Sequence, residues 1–393
     1  MGFIYKKIRF PSDRSMGDLL IEASDVQPDT RAMPQVVMAR GEILVRNDER
    51  TTLLVADEAV HDLSPLASLA PDDLNNLHLA ETGVEDSQLA HVQHLAGIDG
   101  WLNLHKTRIT SSGLSHLSTL TNLRELMLSE TFIDSEGLVA ISSLKALRIL
   151  DMRSTSIGDA GIQYLSRLDN LHTLSLAQTS VGDRGTEPLA HLGNLRHLDI
   201  SQTLITDKSM PTITRLGGLR VLSLSENTIT DAGLEHIPRC FGLLELDLTG
   251  TRITDTGVYY IAQLPHLREL ILDYTRVTNA GVRMLIHLPI ERLSIRGTAI
   301  DDGCVDSLLQ MSMLRKLELD DTHITDQAIG ALYELPLVEL GLRNTDISDD
   351  SVTFISQMSL LQRINLWGTK VSVSGARRLR ATLRTARVLH HAG

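Results

Sequence analysis

The chain has 393 residues, with 37 Lys and Arg against 49 Asp and Glu, a formal net charge of −12. That balance argues against a general polyanion binder, which needs clustered positive charge, and an aromatic content of 3% argues against base-stacking platforms. An apolar fraction of 42% with 22% charged residues excludes wholesale disorder, and the two cysteines, Cys240 and Cys304, cannot build a disulfide framework.

In chain order, the start Met1-Gly2-Phe3-Ile4-Tyr5-Lys6-Lys7 lacks the apolar stretch of a secretory signal. No apolar run in the chain approaches the roughly 18 residues of a membrane span. Cytoplasmic residence and no membrane partner are expected. Residues 1–50 lack the repeat described below. Glu42-Ile43-Leu44-Val45 and Thr52-Leu53-Leu54-Val55 flank Asn47-Asp48-Glu49-Arg50, which predicts a β-hairpin leading into the first strand of the next region. This segment is read as an N-terminal cap, with a separate small binding module as the alternative.

From residue 51 to 371 one pattern returns. Aligned on a single Thr, it falls at Thr82, Thr107, Thr131, Thr155, Thr179, Thr203, Asn227, Thr251, Thr275, Thr298, Thr322, Thr345 and Thr369, at intervals of 23 to 25 residues. An earlier degenerate unit places Glu58 in the Thr position. Around each mark the text is L-x-x-L-x-L-x-x-T-x-I-x-D-x-G-L-x-x-L-x-x-L. Alternation before the Thr predicts a short half-buried strand, and period three after it predicts one helical face. The Asp four residues after the Thr (159, 183, 207, 231, 255, 302, 326 and 349) stands where an N-cap belongs. The Gly two residues further on is read as tolerating a tight bend. One such unit cannot bury its own apolar face, whereas stacked units can. Residues 372–393 follow as a capping helix, Gly375 to Arg384, and an edge strand near Ala386–Leu389. Arg377, Arg378, Arg380, Arg384 and Arg387 make this end basic. It is read as a solvated cap, with an anionic partner or membrane surface as the alternative.

The thirteen units resemble leucine-rich repeats of a bacterial T-x-I-T-D-x-G-L variety. They are similar to the cysteine-containing repeats of eukaryotic F-box proteins, with Thr where those have Asn or Cys. The resemblance implies an α/β fold: a right-handed leucine-rich-repeat solenoid, or horseshoe, with a parallel sheet on the concave face and short helices on the convex face. It also implies partner binding on the concave face, without catalysis.

No G-x-x-x-x-G-K-[ST], G-x-S-x-G, H-E-x-x-H or C-x-x-C motif is present, so no enzyme, cofactor or metal is expected. Neighbouring strands about 4.8 Å apart bring equivalent positions together. Four positions before the Thr, Asp151, Ser175, Asp199, Ser223 and Asp247 follow one another. Ser175, His197 and Asp199 have a triad's composition, but an open sheet supplies no oxyanion hole. Glu245, Asp247, Glu269 and Asp273 have a calcium site's composition but lie flat. Two positions before the Thr, Asp273, Arg296, Asp320 and Arg343 alternate in sign, which predicts a self-paired ladder.

The expected partner surface is therefore the central stripe Asp151, Ser175, His197, Asp199, Ser223, Glu245 and Asp247. Ile149, Val221 and Ile271 flank it, and Trp101, Tyr274 and Trp367 serve as outer anchors. It suits a protein or peptide that is basic where it meets the stripe, bound by a monomeric scaffold that takes no nucleic acid. The alternative function is regulation of an enzyme, as an inhibitor or as the recognition arm of a ligase-type complex. No F-box-like stretch supports the second of these.

Overall fold

The computed structural model describes residues 4–23 and 33–390. Parts of the expectations for the chain start and for the two end segments fall at 1–3, 24–32 and 391–393, outside the described residues. The chain divides into two compact units, Met1–Leu195 and Arg196–Gly393.

The first unit holds strands β1 (Tyr5–Arg9), β2 (Gly17–Ala23), β3 (Gln35–Met38), β4 (Glu42–Arg46) and β5 (Glu49–Val55). It continues with β6 (Asn76–His78), β7 (Trp101–Asn103), β8 (Glu125–Met127), β9 (Ile149–Asp151) and β10 (Thr173–Ser175). β5 to β10 form a parallel sheet. β5 enters with Thr52, Leu53 and Leu54 opposite Asn76, Leu77 and His78, the register of the degenerate unit.

The expected hairpin is absent. β4 and β5 are joined by a tight turn, yet β4 pairs antiparallel with β1, and β5 pairs antiparallel with β2, which also carries β3. The local pattern encodes strands but not their partners. Ile43 and Val45 of β4 turn inward, as does Ile8 of β1, so burial sends β4 to a second small sheet. β2 covers the free edge of β5, an edge that would otherwise invite pairing with another chain.

The second unit is a parallel run of nine strands: β11 (His197–Asp199), β12 (Val221–Ser223), β13 (Glu245–Asp247), β14 (Glu269–Ile271), β15 (Arg292–Ser294), β16 (Lys316–Glu318), β17 (Glu339–Gly341), β18 (Arg363–Asn365) and β19 (Arg387–Leu389). Each pairs with the next in unbroken register. The helix Val373–Thr382 precedes β19. The architecture is an α/β solenoid of short strands alternating with short helices.

One repeat explains the rest. Leu243, Leu246, Leu248, Ile253, Val258, Ile261 and Leu264 are all buried, each contributing about 1.5–3 kcal/mol of apolar transfer. The middle strand residue faces this core, and the residues on either side of it face the opposite, open side of the sheet. The residue before the marker Thr takes a left-handed backbone, as at Glu226 (φ 55°), Tyr274 (φ 55°) and Gly297 (φ 59°). That conformation turns the chain from strand towards helix.

The marker Thr closes this turn by donating from Oγ1 to the carbonyl three residues back, 2.6 Å at Thr251–Leu248 and at Thr275–Leu272. Asn227 reaches further. Its Nδ2 donates to the Leu224 and Ile200 carbonyls at 3.0 and 2.8 Å, and its Oδ1 accepts from Thr203 N at 3.0 Å. Replacing Thr275 by Val keeps the shape and removes the donor. Urea unfolding should show a loss of about 1 kcal/mol, the net worth of one such bond. An unchanged midpoint would assign the Thr column to packing alone.

Two expectations about the turn are corrected. The Asp four residues after the marker is not the N-cap but the first helical residue. At the helix Asp255–Ile261 the cap is Thr254, whose side chain accepts from Thr256 N. The Asp carboxylate instead serves the next repeat. Asp255 accepts from Thr278 N at 2.8 Å and from Thr278 Oγ1 at 2.6 Å, and Asp231 does the same for Thr254 at 2.8 and 2.6 Å. The repeated spacing thus builds a carboxylate–hydroxyl rung between repeats, and the capping Thr254 and Thr278 are held from behind. Nor does the following Gly supply a bend. Gly257 is helical, and an added Cβ would stand 2.5 Å from Asp231 Oδ1. It is small to admit the rung.

Candidate functional site

On the open face of the second unit the register sets His197, Val221, Glu245, Glu269, Arg292, Lys316, Glu339, Arg363 and Arg387 side by side. Asp199, Ser223, Asp247, Ile271, Ser294, Glu318, Gly341 and Asn365 form the next row. Charges at β14 to β17 are largely neutralised within the protein. Arg292 pairs with Glu269 and Lys316 with Glu339, both at 2.7 Å. Arg296 lies 3.2 Å from Glu318, 3.8 Å from Asp273 and 4.0 Å from Asp320. Asp273 also accepts from Ser294 Oγ at 2.6 Å and from Arg296 N at 2.9 Å. Burial pushes the Asp273, Glu318 and Asp320 carboxyls above the ordinary carboxylate range, and nearby donors and cations offset only part of that.

The sequence-predicted stripe divides. Asp199, Ser223, Glu245 and Asp247 sit on the adjoining strands β11, β12 and β13. Asp247 accepts from Thr249 N at 2.9 Å and from Thr249 Oγ1 at 2.6 Å, and Asp199 accepts from Ser201 Oγ at 2.7 Å. These bonds orient the carboxylates. Among the described residues neither Glu245 nor Asp247 makes an ion pair. Half-exposed Val221 and Ile271 flank them on β12 and β14, with His197 on β11.

Asp151 and Ser175 belong to the first unit. There Asp151 is already neutralised, its two oxygens accepting from Arg153 Nε and Nη2 at 3.0 and 2.9 Å. Its own column holds no base, but the residue two further along the same chain supplies one. Ile149 is half-exposed on β9, and the Trp101 ring meets His78 edge-on at 5.9 Å. Tyr274, at 58% exposure, and Trp367, at 53%, project from the turns that follow β14 and β18.

Two of the carboxylates weighed for chemistry are engaged within the protein. Ser175 lies in the first unit and His197 and Asp199 in the second. Of the four carboxylates with a calcium site's composition, Glu269 is held by Arg292 and Asp273 by Ser294 and Arg296. No group of three or more metal-ligating side chains gathers among the described residues. Cys240 and Cys304 are fully buried, and burial pushes their thiols up to about 11 and about 12, which suits packing rather than nucleophilic attack. No helix among the described residues is long and apolar enough to cross a membrane.

Arg387 is the residue that reading the columns missed. One further 24-residue step from Thr369 places it in the Arg363 row, so the interval itself carried the signal.

A family model described as Leucine Rich repeat matches residues 145–166, 219–237 and 240–262. This is a leucine-rich-repeat protein. Among solved structures its repeats are similar to an internalin from Listeria monocytogenes, with 23% identity and a TM-score of 0.60 over 81% of this chain and 87% of that one. They are also similar to a leucine-rich-repeat protein of Leptospira interrogans, with 19% identity and a TM-score of 0.54 over 86% and 99%. These likenesses establish the fold. No curated protein sequence matches the chain.

Proposed function

We propose that this leucine-rich-repeat protein is a non-catalytic scaffold that binds a protein or peptide on the open face of its repeats. Basic side chains of the partner meet Glu245 and Asp247, and Asp199 and Ser223 stand beside them. The observation that carries this reading is a contrast. The open-face carboxylates of β14, β16 and β17 have cations within ion-pair distance, whereas Glu245 and Asp247 on β13 have none among the described residues. Two carboxylates two residues apart on one strand, with no cation between them, repel each other. They become favourable when a cation arrives. Val221 and Ile271 offer apolar contact at either side, and Tyr274 and Trp367 can anchor the margins.

The test is a pull-down from source-cell lysate with the wild-type chain and the Glu245→Lys/Asp247→Lys variant, both confirmed folded by circular dichroism. A partner retained by the wild type should lose at least tenfold in the variant. Equal retention would move the binding surface elsewhere. Asp151→Lys is a matched control expected to have little effect, because Arg153 already answers that carboxylate.

A further inference from the structure

Residues 351–393 hold seven Lys or Arg and no Asp or Glu, in a chain whose net charge is −12. Two of the seven are balanced by the repeat before them. Arg363 lies opposite Glu339 and attracts its carboxylate, and Lys370 pairs with Asp346 at 2.7 Å. The other five, Arg377, Arg378, Arg380, Arg384 and Arg387, belong to the helix Val373–Thr382, the turn after it and β19. Arg380 ties helix to strand by donating to the Val388 carbonyl at 3.3 Å. Arg378 attracts Asp349, whose carboxylate already accepts from Ser372 N and Oγ at 2.8 and 2.6 Å. Arg377, Arg384 and Arg387 are exposed, and among the described residues they make no ion pair and no side-chain hydrogen bond.

This end of the stack is not built to receive another repeat. Asp302, Asp326 and Asp349 hold the rung position in three successive repeats, and each accepts a backbone N–H of the next one at 2.8, 2.9 and 2.8 Å. At the same position the last repeat has Val373, which is 41% exposed. A second copy of the chain finds no rung there with which to extend the stack. The exposed cations remain, and they call for an anionic occupant.

Their arrangement narrows the choice. A linear polyanion needs cations along its path. Here they are confined to one repeat, and residues 301–350 beside it carry twelve Asp or Glu against three Lys or Arg. Residues 372–393 contain no Phe, Tyr or Trp on which bases could stack. A broad anionic surface needs neither path nor ring, because it touches the end of the stack alone. We infer that the C-terminal cap docks this protein end-on to an anionic lipid surface, with Arg377, Arg378, Arg384 and Arg387 against the headgroups. Val373 is the one large apolar side chain exposed in the described part of the cap, so the contact is electrostatic rather than inserted. It leaves Glu245 and Asp247 untouched and stands independently of the function proposed above.

The probe is co-sedimentation of the purified full chain with vesicles of phosphatidylcholine containing about 40% phosphatidylglycerol, compared with phosphatidylcholine alone. Wild type should partition at least tenfold more strongly onto the anionic vesicles. Salt at about 1 M, where charges are screened beyond about 3 Å, should release it. Each cation near such a surface is worth about fivefold in partitioning, so Arg377→Gln/Arg384→Gln/Arg387→Gln should lower binding more than tenfold. Arg377→Lys/Arg384→Lys/Arg387→Lys should retain most of it, because a fluid headgroup layer answers charge rather than the planar fork of a guanidinium.

Equal binding to both vesicle types overturns the inference, as does no binding to either. So does anionic binding that survives 1 M salt or the Gln variant. Loss of binding in a folded Lys variant would assign the Arg residues to a ligand of fixed geometry and overturn it also. Labelled DNA or polyglutamate that binds through these Arg residues, when the anionic vesicles do not, overturns it in favour of a nucleic acid or an acidic protein.

Discussion

Replacing Arg296 with Met should lower the unfolding free energy by about 2–3 kcal/mol at pH 7, and much of that loss should return at pH 5. Among the described residues Arg296 is the one cation within ion-pair distance of Asp273, Glu318 and Asp320. Its Nε is buried without a hydrogen-bond acceptor, so at 3.8 and 4.0 Å its attraction to the two Asp residues is coulombic rather than hydrogen-bonded. Removing one partner of a fully buried ion pair costs about 3–5 kcal/mol, because the other charge remains uncompensated. The Arg296 side chain is 34% exposed, and solvent screening reduces that figure to the smaller range.

The pH dependence follows from the carboxyls. Burial raises Asp273, Glu318 and Asp320 above their unfolded values, which lie near 4. Between the unfolded and folded values the native state holds more protons than the unfolded state, so stability increases as pH falls through that window. Without Arg296 the carboxyls rise further and the window widens. Asp349 acts in the opposite sense. Its hydrogen bond from Ser372 holds it below the usual range, so its stabilisation is lost only as pH falls below about 4. Urea titrations at pH 7 and pH 5 therefore isolate the raised group. A loss of equal size at both values would reject the account. Adding Asp320→Asn to the variant should recover part of the stability at pH 7, because the amide oxygen can still accept from Arg343 N, now 2.7 Å from Asp320 Oδ1.

This cluster marks how much the sequence disclosed. Parallel register with a near-constant interval makes lateral neighbours readable, so the alternation of Asp273, Arg296 and Asp320 translates directly into contact. The strand positions and the solenoid follow from the same arithmetic. Contacts off that lattice were hidden. Arg153 neutralises Asp151 from the turn two residues further along the chain. β4 finds β1, nearly forty residues earlier, because inward-facing Ile43 and Val45 need a partner that no turn signal names. Capping rules describe one helix at a time, and so assigned the repeated Asp to its own helix when its donors lie 23 residues ahead.

Gly257→Ala gives that rung its sharpest test, because two physical effects of opposite sign compete at one atom. Helix propensity favours Ala over Gly by about 1 kcal/mol in a helix interior, and Gly257 is helical. Against this, the new Cβ would lie 2.5 Å from Asp231 Oδ1 and 2.6 Å from Ile253 Cγ2. Asp231 cannot retreat freely, since it is fixed by Thr254 N and Oγ1 at 2.8 and 2.6 Å. Overpacking costs about 1–3 kcal/mol, and each hydrogen bond to a charged group is worth about 1.5–3 kcal/mol. Relaxation loses part of both, and the net expected change is a destabilisation of about 2–3 kcal/mol with reduced amide protection at Thr254. A double-mutant cycle separates the causes. Asp231→Ala alone should also destabilise, by leaving the Thr254 donors unanswered. With that carboxylate gone, adding Gly257→Ala should cost much less than it does in the wild type, or nothing. Additive losses would place the clash at Ile253 rather than at the rung. A stabilising Gly257→Ala would mean that helix propensity governs the position and that the repeated Gly has no part in joining one repeat to the next.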